Sequence, residues 1–246
     1  MSATSPRIAD RPAAWAARWL VLAAIAAPGA AWAEPRDPQA ALLHVWAPDA
    51  RSERLLSPDQ GPVPLTAEAA ALHAQRLADR GHGDVQFDRT RWCAGPGMPR
   101  IMLMPYPFEI RAERGYLAFL FGWYRWYRLV DMSGQPAEVV LPTTMGYSVG
   151  SWEGRTLTIK TTGLAAETVL DASGLPHSED MTLTERIHVL GNGHLEVRFT
   201  IDDGAYYTHP WTSVATYHRA PGVSVGDDVC PDRIGRGEPA VAGARP

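Results

Sequence analysis

Apolar and polar residues alternate along most of the second half of the chain. In "MTLTERIHVL" Met181, Leu183, Ile187 and Val189 fall on one side, and in "HLEVRFTI" so do Leu195, Val197, Phe199 and Ile201. Side chains two apart share a face of an extended strand, so each segment predicts a strand with one buried side. The "GNG" between them predicts a hairpin. The texture begins near Met98. "IMLMPYPFEI" sets Tyr106, Phe108 and Ile110 on one side, and "YLAFLFGWYRWYRLV" is long and aromatic and stops at "MSGQ". "MGYSVGSW" and "RTLTIKTT" flank the turn pair Glu153–Gly154, and "WTSVATYHR" is the last such segment. That makes at least seven strands in about 120 residues, joined mostly by hairpins. The strand–helix alternation of a parallel sheet is missing. A closed antiparallel barrel, which leaves no exposed edge, fits the count; a β-sandwich is the alternative.

Upstream the periodicity changes. "PLTAEAAALHAQRLADRG" predicts one helix over about residues 66–80, with Thr66 as N-cap, Glu68 in the first turn and Gly81 as the stop. Leu65, Ala69, Leu72, His73 and Leu77 give it one modest apolar stripe, suited to packing on a larger body. At the start, Arg7, Arg11 and Arg18 precede a short apolar run from Trp19 to Ala27 and a small-residue "AWA" ending at Ala33. This is the pattern of a cleaved secretory leader, and the run is too short to span a bilayer. The expected organisation is a leader over 1–33, an arm over 34–97 carrying the helix, a barrel over 98–220 and a Gly/Pro-rich tail over 221–246. An exported chain, periplasmic or secreted, with no stable membrane insertion after cleavage is the corresponding expectation.

Losing the leader, with three Arg and one Asp, takes the formal charge from −4 to −6. That balance argues against nucleic acid as a partner. The mature chain carries two cysteines, Cys93 and Cys230. In an oxidising compartment a disulfide between them is plausible, the other reading being two unrelated thiols.

Two charges break the apolar pattern. Glu185 lies on the apolar side of its strand. Arg125 shares a side with Leu117, Phe119, Phe121, Trp123, Tyr127 and Leu129, if the aromatic segment is one continuous strand. An unpaired buried ion is costly. Glu185 and Arg125 are therefore expected to meet inside the barrel, directly or through a guest molecule, unless they form a plain structural pair or a bulge turns one outward. Before Glu185, "LDASGLPHSED" carries Asp171, His177, Glu179 and Asp180. His177 and Glu179 suit acid–base work near a barrel rim, or else ordinary loop chemistry. Tyr106, Trp123, Tyr127, Trp152, Tyr207, His209 and Trp211 are candidates to line an aromatic ligand site, or equally to be core and rim aromatics. No "HxH" or "HExxH" spacing supports a metal, and no cofactor is expected. "GYSVG" matches a nucleophile-elbow string around Ser148, but it leads into another strand and not a helix, which argues against that role.

Taken together, "PGMPRIMLMPYPFEI", "MGYSVGSWEGRTLTI", "LDASGLPHSEDMTLTER" and "IDDGAYYTHPW" resemble a family of exported bacterial proteins. Typical members read "GMPR", "PYPFEI", "MGHSIGRWEGDTLVVDT", "GxPHSExxxxTERF" and "DDPxAYTxPW". The resemblance covers about residues 92–212 in the same order. It implies that these segments form one domain, expected to be lipocalin-like, and it supplies no reaction. Tyr147 stands where the usual motif has His, and Arg155 where it often has Asp.

The resulting expectation is a mainly β, antiparallel, lipocalin-like barrel with an N-terminal arm and one packed helix. Its first functional reading is an enzyme that isomerises, eliminates or cyclises a small apolar or aromatic molecule. Glu185 and His177 would move protons, Arg125 would hold an oxygen, and Tyr147 would help orient it. The alternatives are a non-catalytic small-molecule binding protein of the same architecture and a structural envelope module. Oligomeric state is open.

Overall fold

The computed structural model describes residues 37–50, 53–58, 61–136, 140–226 and 228–241. The leader expected over 1–33 lies outside them. Nine strands follow one another: β1 Val45–Pro48, β2 Phe108–Glu113, β3 Tyr116–Phe121, β4 Tyr127–Asp131, β5 Tyr147–Glu153, β6 Thr156–Thr162, β7 Thr182–Val189, β8 Leu195–Asp202 and β9 Trp211–Arg219. Each pairs with the next, and β9 pairs with β1, so the sheet closes into a barrel. Two of the expected features are present: a mainly β closed barrel and one long helix, α2 Ala67–Gly81.

Closure with nine strands imposes a parity condition. Were every neighbour antiparallel, β1 and β9 would run the same way. One parallel pair, β4 with β5, absorbs the odd strand and lets β1 meet β9 antiparallel. This parallel seam is short, with only Val130 opposite Ser148 and Asp131 opposite Val149. The hairpin-joined pairs are longer; β7 and β8 match from Thr182–Asp202 to Val189–Leu195.

The aromatic segment is two strands, not one. Gly122 to Trp126 form a tight reversal, in which Phe121 N–H donates to Trp126 O at 2.9 Å and Tyr124 and Arg125 take positive φ values of 48° and 55°. The turn resets the alternation. Arg128 now stands opposite Phe119 and points inward with Val130, whereas Tyr127 and Leu129 point outward. Arg125 sits on the turn and is exposed, outside the barrel, so the expected Arg125–Glu185 pair does not form.

Side chains fill the barrel interior. Phe108, Phe119, Ile159, Ile187, Val197 and Phe199 are all buried, and Phe108 packs against Tyr217 with ring centroids 5.0 Å apart. The arm supplies more than a linker: β1 completes the barrel, and α1 Pro38–Leu42 precedes it. Thr66 caps α2 through Ala69 N–H at 3.3 Å. Its inner side is held by polar contacts as much as apolar ones, with His73 on Ser173 at 2.9 Å and Arg76 on Gly174 O at 2.8 Å. Leu77 from the expected stripe stays exposed. In the segment read as a tail, a short helix α3 Cys230–Gly235 is fastened by the Cys93–Cys230 disulfide, which closes a loop of 137 residues. Trp123 Nε1–H adds a bond to Ala240 O at 3.0 Å.

Candidate functional site

Glu185 is completely buried, as its place on an apolar face requires. Its partner is Arg128. The guanidinium donates from Nη1 to Glu185 Oε1 at 3.1 Å and from Nη2 to Oε2. It also donates from Nε to Ser148 Oγ at 2.9 Å and from Nη2 to Thr161 Oγ1 at 2.7 Å. Ser148 and Thr161 bond each other at 3.0 Å. Four strands, β4 to β7, thus contribute one residue each. The Arg128 guanidinium lies over the Phe119 ring, 5.6 Å from its centroid. A buried ion is tolerable when its charge is balanced and its nitrogens are hydrogen-bonded; Glu185 balances the charge, and every Arg128 guanidinium nitrogen has a partner. Glu185 also acts at longer range: burial first, and the Glu185 charge second, push the Tyr217 hydroxyl well above its ordinary value. Tyr217 Oη–H donates to Met102 O at 2.8 Å.

Directly outside the network, the short parallel seam leaves β4 and β5 splayed. Below the two paired positions the strands diverge, and a groove of about 420 Å³ opens between them. Tyr116, Trp126, Tyr127, Leu129, Met145 and Tyr147 line it, with Arg128 contributing as well. Tyr127, Leu129 and Tyr116 are 58%, 48% and 42% exposed, an unusual concentration of large apolar side chains in water. Gly146, at φ 64°, turns the chain into β5; a Cβ there would meet Thr162 O at 2.7 Å. At the groove's edge Tyr147 Oη–H donates to Asp131 Oδ2 at 2.8 Å. That bond raises the Tyr147 pKa; Asp131 is lowered by the Ser133 backbone N–H first and Tyr147 second.

The other candidate residues scatter. Tyr147 faces the groove, on the opposite side of β5 from the inward Ser148. His177 is buried in the loop before β7, with Nδ1 bonded to Ser178 O at 2.9 Å and Nε2 to Thr168 Oγ1 at 2.7 Å. Burial above all holds its pKa below the ordinary 6.5. Both ring nitrogens are engaged there, and neither bonds Glu185. Glu179 and Asp180 are exposed, while Asp171 and Asp203 tie loop backbone: Asp171 accepts from Leu55 N–H and Asp203 from Ser178 N–H at 2.7 Å. Trp123 and Trp211 are buried core residues, and Tyr207 is buried with its hydroxyl on Pro176 O at 2.7 Å. Tyr106 and Trp152 pack partly buried against the core. His209 is exposed beside Thr208. Only Tyr127 and Tyr147, of the expected ligand and catalytic residues, meet in the groove, and Glu185 lies beneath it through Arg128.

Sequence reading missed Arg128, Thr161 and the role of Ser148. Gly122, inside an otherwise continuous strand pattern, was the available signal: a glycine there is a common mark of a bend. Among the described residues, no group of three or more His, Cys, Asp or Glu is placed to hold a metal. No protein-family model matches this sequence, and no curated protein does.

Proposed function

We propose that this protein is an exported, non-catalytic binder of a small, flat, apolar or aromatic molecule, seated in the groove at the β4–β5 seam. The observation that carries the reading is the exposed cluster of Tyr116, Tyr127 and Leu129 around a 420 Å³ recess with a polar Tyr147–Asp131 pair at its edge. Aromatic walls with one convergent polar anchor suit such a guest. Arg128 and Glu185 stiffen the strands behind the groove. Binding is favoured over proton transfer because both Glu185 oxygens accept from Arg128, and His177 is bonded elsewhere. Export rests on the leader pattern and agrees with the Cys93–Cys230 disulfide. The family resemblance of residues 92–212 supports a shared domain, not a shared reaction.

Titration with the neutral aromatic probe N-phenyl-1-naphthylamine tests this. Saturable fluorescence enhancement is expected, and Leu129→Asp, on an exposed position, should weaken it at least tenfold while the fold persists. Equal enhancement in wild type and Leu129→Asp, or none in either, would remove the groove as the site. Turnover of a bound extract component that is lost in Glu185→Gln would restore the enzyme reading.

A further inference from the structure

A cleft larger than the groove lies away from the seam. It measures about 570 Å³ and has two walls. One carries Glu53, Asp88, Arg91 and Arg100; the other is the C-terminal segment, with Ile234 and Glu238 to Val241. The second wall is tied by the disulfide to Cys93, in the segment before β2, and by the Trp123–Ala240 bond to the turn between β3 and β4.

Arg100 is 2% exposed, and Asp88 and Glu53 clamp it. Nε and Nη2 donate to Asp88 Oδ2 at 3.3 and 3.2 Å, and Nη2 reaches Glu53 Oε2 at 2.8 Å. The remaining nitrogen, Nη1, is buried and has no hydrogen-bond partner among the described residues. A guanidinium offers five donor hydrogens in a rigid fork. Three are used here, so two on Nη1 are left. Unpaired buried donors are rare enough in folded proteins to need a reason.

Charge narrows what would satisfy that nitrogen. Two carboxylates already outweigh the single charge of Arg100, so a third anion placed on it would be repelled. A neutral carbonyl oxygen accepts without that penalty. Around it the cleft holds three cations, Arg80, Arg91 and Arg100, against three anions, Glu53, Asp88 and Glu238. Val85, Ile234 and Val241 add apolar surface. A cleft with balanced charges of both signs and an apolar lining, bordered by a guanidinium with one unpartnered nitrogen, matches a molecule built the same way. We infer that this cleft is a second binding site, for a short apolar peptide with free ends: an amide carbonyl on Arg100 Nη1, the carboxylate toward Arg91 and the ammonium toward Glu53.

Leucyl-leucine titrated into the ¹⁵N-labelled full-length mature protein tests the inference by amide shifts. Saturable shifts should centre on Thr90, Arg91, Ile234 and Ala240, with half-saturation below about 1 mM, a typical weak-ligand affinity. Ile234→Trp fills the cleft from its partly exposed wall and should abolish the shifts in a spectrum that remains dispersed. N-acetyl-leucinamide keeps the carbonyl but lacks both charges, and should bind at least fivefold more weakly. Arg100→Lys should also weaken binding at least tenfold; should that variant unfold, Ile234→Trp decides. No saturable shift up to about 10 mM, or shifts unchanged by Ile234→Trp, would overturn the site. N-acetyl-leucinamide binding as tightly as the peptide would overturn the peptide assignment.

Discussion

Replacing Glu185 by leucine strands Arg128 inside the barrel. The wild-type guanidinium places hydrogen bonds on both Glu185 oxygens, on Ser148 and on Thr161, with 1% of the Arg128 side chain and 0% of the Glu185 side chain exposed. In Glu185→Leu two neutral hydroxyls remain, and the positive charge has no counter-ion in contact. Removing one member of a buried pair costs about 3–5 kcal/mol. For a folded body of roughly 200 residues, each kcal/mol lowers the melting temperature by about 2–4 °C, so a fall on the order of 10 °C is expected. Urea unfolding should show a lower midpoint with an unchanged slope. The double variant Arg128→Met/Glu185→Leu removes both charges in similar volume. It should return to within about 1 kcal/mol of wild type, because the desolvation cost disappears with the pair. A single variant that loses less than about 1 kcal/mol, or a double variant no more stable than the single, would refute the claim that the pair is sealed and mutually neutralising.

Other outcomes follow from the same geometry. Reducing the disulfide, or replacing both Cys93 and Cys230 by alanine, should cost up to about 5 kcal/mol for so long a loop, read as a lower melting temperature. His177 titrates below its ordinary 6.5 when folded, so the unfolded chain binds the extra proton. Its contribution is therefore whole above about pH 6.5 and fades as the pH falls below it, by at most about 1.4 kcal/mol per unit. Wild type should lose more stability between about pH 7.5 and 5.5 than His177→Gln does, in urea midpoints taken at each pH. Tyr147→Phe removes the donor to Asp131 and should weaken probe binding severalfold without lowering the melting temperature. Intact mass of the protein recovered from the periplasm should begin after Ala33; an uncleaved chain in the cytoplasm would contradict export.

Much of the barrel could be read from the residues because its strands are local. β7 and β8 alternate cleanly and turn at "GNG", so a period of two and a turn signal suffice. Glu185 was readable for the same reason: its neighbours at positions 183 and 187 fix its face. Its partner was not readable, because alternation carries information only while the strand continues. The reversal after Phe121 changed the phase, exchanging Arg125 for Arg128 and turning Tyr127 and Leu129 outward. β1 is only four residues long in a Pro-rich arm, and its place depends on β2 and β9, which are distant in sequence. The groove arises from the β4–β5 parallel seam, a consequence of closing nine strands that no local pattern encodes. His177 could be read as a rim acid–base residue because polar loops are usually exposed; the loop is instead buried as far as His177, whose ring is bonded internally, and only Glu179 and Asp180 beyond it reach the surface.

Fluorine NMR of 3-fluorotyrosine-labelled protein, titrated with N-phenyl-1-naphthylamine, asks most directly where a guest sits. Tyr116, Tyr127 and Tyr147 border the seam, and Tyr217 lies within the barrel beside Phe108. Saturable shifts are expected at the three seam tyrosines and none at Tyr217. A shift at Tyr217 with Tyr127 and Tyr147 unmoved would place the guest inside the barrel and contradict a sealed, ion-paired interior.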